Sequence, residues 1–240
     1  MTKLLFRDDA YLTECDAQIV TVNERGGIVL DSSIFYPTGG GQPGDRGWLR
    51  VDGTEIEVAT TVKGEGDEIV LVPAADTPAP VAGTRVTQVL DWQQRYRHMK
   101  IHTALHLLSV VLPFPVTGGQ ISADKGRLDF DMPEAPQDKE AIADALNALI
   151  ARDLEVTESW ITDEELEANP GLVKTMAVKP PMGAGRVRLV RIGTDNEQID
   201  LQPCGGTHVR RTSEIGMMRI GKVEKKSRLN RRVNIHFIDE

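Results

Sequence analysis

Residues 91–112 read DWQQRYRHMKIHTALHLLSVVL, and this stretch separates two parts of the chain that differ in character. Asp91 followed by Gln94 is typical of a capping box, and Pro113 stops the segment, so we predict a helix over about 91–112. Helical spacing of large apolar residues supports this prediction, because one face carries Ile101, Leu105, Leu108 and Leu112.

The sequence before this helix is rich in short apolar runs. Runs containing Val and Ile and bounded by Gly, Asn or Asp predict strands at 18–22, 27–30, 47–51, 55–62 and 68–72. Strands at such close intervals favour a small barrel or a sandwich. The proline-rich stretch 73–80 predicts a loop near the end of this part. We therefore predict an N-terminal β domain at residues 1–90.

The sequence after Asp91 mixes helices and strands without a regular β-α-β alternation. Further helices are predicted at 137–154 and from Thr162 to just before Pro170, where Glu165 completes a capping box. Strands are predicted at 127–130, 186–192, 198–201, 217–223 and 233–238. This order indicates an α+β domain at residues 91–240.

The composition is that of a globular chain, with 240 residues of which 40% are hydrophobic and 27% charged. Charges interrupt the first residues too early for a secretory signal, and the most apolar run, 107–116, is broken by Pro113 and Pro115. Two cysteines, Cys15 and Cys204, do not make a disulfide framework. We therefore expect a cytoplasmic location, with no membrane and no obligate protein partner.

The net charge of −8 is distributed unevenly along the chain. Between Arg210 and His236, nine Lys and Arg stand against two Glu, so this segment is +7 and the rest carries about −15. A basic segment on an acidic chain is typical of a protein that binds a polyanion, and charge alone favours a solvated strand face equally.

Two short motifs supply residues that ligate metals: His102-Thr-Ala-Leu-His106 and Cys204-Gly-Gly-Thr-His208. Histidines one helical turn apart share a face, and a Gly-Gly turn lets a short loop present a thiolate and an imidazole together. Three imidazoles and one thiolate suit Zn²⁺. Because His98 lies one turn before His102, spacing alone leaves the pairs 98/102 and 102/106 equally good.

Two further patterns remain open. The segment YPTGGGQPGD at 36–45 contains a formal G-x-G-x-x-G, but Pro43 and a following strand exclude the helix that a dinucleotide site needs. It is either a tight turn or a place where backbone N–H groups approach a ligand. Asp129 and Asp131 share one side of a strand; we favour solvent-facing positions over acceptors for a metal-bound imidazole.

Four segments together resemble the freestanding alanyl-tRNA editing proteins of the AlaX type and the editing part of alanyl-tRNA synthetase. They are YPTGGGQPGDRG at 36–47, HTALHLL at 102–108, RLDFD at 127–131 and LQPCGGTHVRRTSEIG at 201–216. The resemblance implies a small β-barrel followed by an α+β editing domain of the threonyl/alanyl-tRNA synthetase type. It also implies one zinc ion per chain, with His98 left out and the ligands His102, His106, Cys204 and His208.

The implied substrate is tRNA(Ala) wrongly charged with Ser or Gly, hydrolysed at its ester bond. An aminoacyl ester is already activated, so positioning a water and stabilising an oxyanion suffice. A zinc ion with an open position would activate that water or polarise the carbonyl, whereas a closed four-ligand zinc site would be structural or would orient the substrate. We assign no side chain as the catalytic group. Thr38 is our candidate for the contact with the serine hydroxyl, if the two domains face each other. The basic segment is expected to bind the tRNA through Lys225, Lys226, Arg231 and Arg232.

Two alternatives compete with this hypothesis. A non-catalytic, zinc-stabilised RNA-binding protein uses the same ligands and the same basic segment but needs no site for a water. A metal-dependent hydrolase of other esters or amides is the second alternative, and the localised basic segment argues only weakly against it.

Overall fold

The computed structural model describes residues 2–74, 80–174 and 185–238. The chain forms two compact units, Met1–Arg97 and His98–Glu240. Within the described ranges, every helix is too short or too polar to span a bilayer. The loop predicted at 73–80 falls largely on residues 75–79, which lie outside the described residues.

The first unit is built on a closed barrel of six strands, and every neighbouring pair in it is antiparallel. In chain order its elements are β1 (Lys3–Leu4), α1 (Leu5–Asp8), β2 (Glu14–Val22), β3 (Ile28–Leu30), β4 (Ser32–Ser33), β5 (Gly47–Val51), β6 (Thr54–Lys63), β7 (Ile69–Pro73) and β8 (Arg85–Leu90). The strands close in the order β2-β3-β7-β6-β5-β8, while β1 pairs in parallel with β4. The barrel alternative is therefore confirmed over the sandwich.

Alternating apolar residues fill the barrel, because successive side chains of a strand point to opposite faces. The core includes Ile19, Leu30, Leu49, Val58 and Leu71, each almost fully buried.

One barrel strand, β8, is missing from the strands predicted by sequence pattern. Its inward positions are Val86, Gln88 and Leu90, so a polar residue interrupts the apolar alternation. Gln88 is fully buried and satisfied: its side chain accepts from Ile34 N at 3.1 Å and donates to Ser32 O at 3.2 Å. Because this buried glutamine interrupts the apolar alternation, the pattern of apolar residues does not predict the strand.

Helix α2 (Trp92–Val111) begins where the sequence predicts, and the Asp91 carboxylate accepts a hydrogen bond from Gln94 N at 3.1 Å. Residues 101–109 are all buried, so the helix is covered on every side rather than along one stripe. The division between the two compact units falls inside this helix, after Arg97. The domain boundaries at 1–90 and 91–240 stay a prediction.

The second unit is mixed α+β, which confirms the predicted fold class. After α2 the elements are β9 (Val116–Ile121), β10 (Lys125–Asp131), α3 (Lys139–Ala151), β11 (Val156–Thr162), α4 (Asp163–Ala168), a 3-10 turn (Pro170–Leu172), β12 (Arg186–Gly193), β13 (Gln198–Pro203), a second 3-10 turn (Thr212–Ile215), β14 (Met218–Lys225) and β15 (Asn230–Phe237). One antiparallel sheet has the order β14-β15-β10-β9, and another has the order β11-β12-β13.

The helix caps of this unit follow the sequence closely. Thr162 and Glu165 form the predicted capping box at the start of α4.

Strands β9 and β11 are absent from the predicted set. β9 carries two consecutive glycines, and β11 is exposed along most of its length, so neither shows apolar alternation.

Candidate metal centre

The two ligand motifs meet in the second unit. Helix α2 supplies His102 and His106, and the loop after β13 supplies Cys204 and His208. One donor atom from each of the four residues lies within 4.8 Å of all the others. Cys204 Sγ is 3.4 Å from His102 Nε2 and 3.3 Å from His208 Nε2. The described residues thus bring together the four predicted ligands, and His98 is not a member of this group.

Hydrogen bonds at the far side of two rings determine which nitrogen carries the free lone pair. His106 Nδ1 is 2.9 Å from Asp200 Oδ2, and a carboxylate only accepts, so this nitrogen carries the proton. The lone pair of His106 Nε2 is then available to ligate a metal, as in the carboxylate–histidine pairs of zinc sites.

Thr103 does the same for His208. Its hydroxyl donates to Met99 O at 3.0 Å, so its oxygen accepts from His208 Nδ1 at 3.1 Å. The same oxygen accepts from Val209 N at 3.3 Å. A helix residue next to His102 therefore holds the distant loop and fixes the tautomer of its histidine.

Asp200 is an outer partner that no sequence motif singles out. Besides His106 it binds Lys174 Nζ at 2.5 Å and Gln202 Nε2 at 2.8 Å. A signal is present nonetheless, since Asp200 and Gln202 alternate along β13 and so share a face, and Cys204 continues the same alternation directly after the strand ends at Pro203. Asp129, for which the sequence favoured a solvent-facing position over this acceptor role, lies in the other sheet and accepts there from Arg232.

A buried arginine, Arg188, hydrogen-bonds the loop that carries Cys204. Arg188 Nη1 donates to Cys204 O at 2.9 Å and to Gly206 O at 2.8 Å. Its Nε donates to Glu158 Oε2 at 2.8 Å, which neutralises the guanidinium. The Gly-Gly turn is thus held at its carbonyl oxygens, and the thiol is left to face the histidines.

Burial and charge act against each other on the ionisable groups of the cluster. Burial opposes charging of the Cys204 thiol, but the adjacent His102 and His208 prevail and hold its pKa well below the usual value. Burial, followed by the charge of His102, lowers the pKa of His208. Burial also opposes charging of His106, yet its hydrogen bonds to Asp200 and Cys204 raise its pKa to about 9.

The donor set fits a metal cation. The lowered pKa of Cys204 favours its thiolate and the lowered pKa of His208 favours its neutral imidazole, which are the forms in which the two residues ligate a metal. Two of the six donor separations, 3.3 and 3.4 Å, match the edge, about 3.5 Å, of a tetrahedron with ordinary zinc bond lengths, and all six are within 4.8 Å.

The glycine-rich segment is a tight turn in the first unit. Gly39 and Gln42 exchange backbone hydrogen bonds of 3.1 and 2.9 Å, and both residues between them have positive φ, 58° at Gly40 and 84° at Gly41. Thr38 belongs to this turn: its hydroxyl donates to Thr61 O at 3.2 Å and accepts from Gly44 N at 2.9 Å.

A buried ion pair holds the end of this turn. The Asp45 carboxylate accepts from Tyr36 N at 2.5 Å and from Arg95 Nε at 3.0 Å. Arg95 also donates to Ala10 O at 2.8 Å and Ile34 O at 2.7 Å, and its side chain is fully buried. Asp45 and Arg95 thus satisfy each other and the surrounding backbone.

The four basic candidates have different environments. Arg231 is buried and donates to four backbone oxygens, those of Ser227, Arg228, Asn230 and Pro133. Arg232 makes a bidentate pair with Asp129 at 2.8 and 2.9 Å. Lys226 binds Glu224 at 2.8 Å, and Lys225 is exposed.

Two protein-family models match this chain, one in each of the two compact units. The family model "Threonyl and Alanyl tRNA synthetase second additional domain" matches residues 187–234, and "tRNA synthetases class II (A)" matches residues 9–94. An alanyl-tRNA editing protein AlaX-M of Methanosarcina acetivorans is 36% identical over 249 residues, with both chains covered completely. The chain belongs to the alanyl-tRNA editing protein family.

Longer proteins contain the same region. An alanyl-tRNA editing protein AlaX-L of Pyrococcus horikoshii is 35% identical over 245 residues, which cover 95% of this chain and 56% of that protein. An alanine–tRNA ligase of Caldivirga maquilingensis is 38% identical over 233 residues, which cover 93% of this chain and 25% of the ligase. The resemblance stated from the sequence motifs is therefore confirmed for the family, including the glycine-rich first unit.

Proposed function

We propose that this chain is a trans-editing deacylase that hydrolyses the ester of mischarged tRNA(Ala), chiefly Ser-tRNA(Ala) and also Gly-tRNA(Ala). The observation that carries the proposal is the buried four-donor centre, with its two ring-orienting hydrogen bonds, in a chain that aligns along its whole length with proteins named alanyl-tRNA editing proteins. We further propose that the cation is Zn²⁺, one per chain, and that the protein acts in the cytoplasm.

The chain's own residues prepare the site rather than react. Asp200 and Thr103 each accept the Nδ1 proton of one histidine and so hold its Nε2 lone pair toward the centre. Cys204 Sγ lies between two imidazoles that are themselves donors to the centre, which suits a ligand better than a nucleophile. A bound zinc ion would supply a polarising charge for the ester carbonyl or for a water.

A contact with the serine hydroxyl would distinguish Ser-tRNA(Ala) from correctly charged Ala-tRNA(Ala). We assign this contact to Thr38, on the condition that the two units face each other across the substrate. A hydroxyl offers one donor and two acceptor lone pairs, and the turn uses the donor and one lone pair. The second lone pair would accept from a serine hydroxyl, which alanine and glycine lack. Thr38 would then read the substrate as an acceptor without giving up its place in the turn.

The tRNA backbone is expected to contact the basic segment, with Lys225, Lys226, Arg231 and Arg232 as the proposed positions. Lys225 and Lys226 are the more exposed of the four. Arg231 and Arg232 already hydrogen-bond carbonyl and carboxylate groups of the protein. They would therefore stabilise their strand as well as attract the RNA.

Deacylation of purified Ser-tRNA(Ala) is the decisive experiment. We expect release of serine that stops after treatment with a chelator and returns with Zn²⁺, slower release of glycine, and no release of alanine from Ala-tRNA(Ala). Binding of the RNA without release of any amino acid would overturn the proposal in favour of a non-catalytic, zinc-stabilised RNA-binding protein.

A further inference from the structure

Trp160 is an exposed aromatic residue on the sheet that carries the metal ligand Cys204. It lies on the edge strand β11 with 45% of its surface exposed, so it contributes little to the core. Its cross-strand partner is Arg188, and Cys204 N in turn donates to Arg188 O at 3.1 Å. Trp160 and Arg188 lie on neighbouring strands, and Cys204 directly follows the next strand, β13, so the three residues form one row.

The row faces the histidines. Residues directly opposite in an antiparallel ladder share a face, and so do alternate residues of one strand. Asp200, two positions before Gln202 and four before Cys204, hydrogen-bonds His106, so this face is the one on which the ligands gather. With strands about 4.8 Å apart, the backbones of Trp160 and Cys204 are separated by roughly 10 Å.

The middle member of the row holds this spacing fixed. Arg188 is buried and bonded to the Cys204 and Gly206 carbonyls on one side and to Glu158 on the other. Two positions before Arg188 on the same strand and face, Arg186 is exposed, and its cross-strand partner is Thr162, two positions after Trp160. Exposed aromatic side chains combined with nearby positive charge bind single-stranded nucleic acid by stacking.

We propose that Trp160 stacks on the terminal adenine of the substrate tRNA and so positions the esterified ribose beside the metal centre. Every tRNA carries its amino acid on a 3′-terminal adenosine, and the ribose joins the base to the ester. The row places a stacking surface two strands away from the ligands, with the nucleoside spanning the distance between them. The inference rests on the proposed function and names Trp160 as a positioning residue.

Binding of a non-hydrolysable RNA tests the stacking directly. The probe is an acceptor-stem minihelix whose terminal adenosine bears serine through an amide, and its partner is the same RNA with the terminal base removed. The native protein should bind the abasic RNA roughly 5- to 150-fold more weakly, the equivalent of about 1–3 kcal/mol per stacked base. Trp160→Ala should show that same loss with the adenine RNA and no further loss with the abasic RNA.

Three variants separate stacking from damage. Trp160→Phe keeps a smaller ring and should recover much of the affinity, while Trp48→Ala removes another exposed tryptophan, on the barrel, and should bind like the native protein. On Ser-tRNA(Ala), Trp160→Ala should raise KM with little change in kcat. The RNA should quench tryptophan fluorescence in native protein and in Trp48→Ala, and much less in Trp160→Phe.

The stacking would be overturned if Trp160→Ala bound the adenine RNA as well as the native protein does. It would also be overturned if Trp160→Ala bound the abasic RNA with the sum of the two separate losses. Neither result would contradict the deacylase activity. Native protein that neither hydrolyses Ser-tRNA(Ala) nor binds the probe would overturn the proposed function, and the stacking with it. The two failures are distinguishable because the first requires an active native enzyme.

Discussion

Two glycine-rich segments of this chain, 36–45 and 204–208, bring polar atoms equally close together and use them in opposite ways. In the first, prominent polar groups meet their complements: Thr38 serves two backbone groups, and Asp45 is matched by Arg95. In the second, donor atoms with lone pairs face one another, as Cys204 Sγ does with two imidazole nitrogens. Complementary groups stabilise a turn by themselves, whereas gathered lone pairs need a cation.

The largest effect on metal content and deacylation is expected when a donor atom is removed from the second segment, 204–208. Cys204→Ala should lose the bound metal, and deacylation should fall by more than the roughly 10- to 100-fold typical of losing an outer partner. His98→Ala, altered on the same helix but outside the four-donor group, should keep both. Elemental analysis of the purified variants measures the metal directly. Metal retained without Cys204, or lost without His98, would mean that the ligand assignment is wrong.

The next effect breaks the first segment. Arg95→Met leaves the Asp45 carboxylate buried without its partner, which typically costs about 3–5 kcal/mol of unfolding free energy. Arg46→Met removes an exposed pair with Asp91 and should cost less than about 1 kcal/mol. Urea unfolding followed by far-UV circular dichroism measures both. Equally small losses would show that the pair at Asp45 is not needed to hold the turn.

A smaller effect asks whether the first segment is wholly structural. Thr38→Val removes the hydroxyl and should slow deacylation of Ser-tRNA(Ala) about tenfold, since a lost hydrogen bond at a desolvated site costs on the order of 1–3 kcal/mol. Gly-tRNA(Ala) should be hydrolysed nearly as before, and Thr38→Ser should restore the serine rate. Equal losses on both substrates would assign the hydroxyl to the turn alone, and no loss would place Thr38 outside the site.

The smallest effect extends the comparison to the surface. Neutralising Lys225, Lys226, Arg231 and Arg232 should weaken tRNA binding and reduce its dependence on salt, by roughly one unit of slope for each phosphate that is no longer neutralised. Treated in pairs, Lys225→Gln with Lys226→Gln should change the slope without changing stability. Arg231→Gln with Arg232→Gln should also lower the unfolding free energy, because their internal partners are left unpaired. An unchanged slope in both pairs would mean that these charges simply face solvent.

The predictable parts of the fold are those in which a short-range pattern carries the information. The α2 helix, the capping box at Thr162 and most barrel strands follow from caps and apolar alternation. Strands β8 and β11 could not be found in that way, because a buried Gln88 breaks one pattern and exposure on both faces removes the other. Their places are set by pairing with strands distant in sequence.

The same limit applies to the candidate site. The ligand residues stand in two local motifs and could be named, but spacing could not separate His98 from His106. Asp200 and Thr103, which orient the rings, act on residues 94 and 105 positions away in the sequence. Such partners become visible only when helix α2 and strand β13 are placed side by side within their unit.

The separation of the ligand pairs also sets an order of events during synthesis. His106 and Cys204 are 98 positions apart, so at about 5–20 residues per second the ribosome delivers the thiol roughly 5–20 s after the helix pair. During that interval two imidazoles alone hold a cation weakly and with little preference among metals. A cation would therefore be held by all four donors only after Cys204 and His208 have emerged, and by then Arg188 and Asp200, which hold the Cys204 loop and orient His106, have already been synthesised.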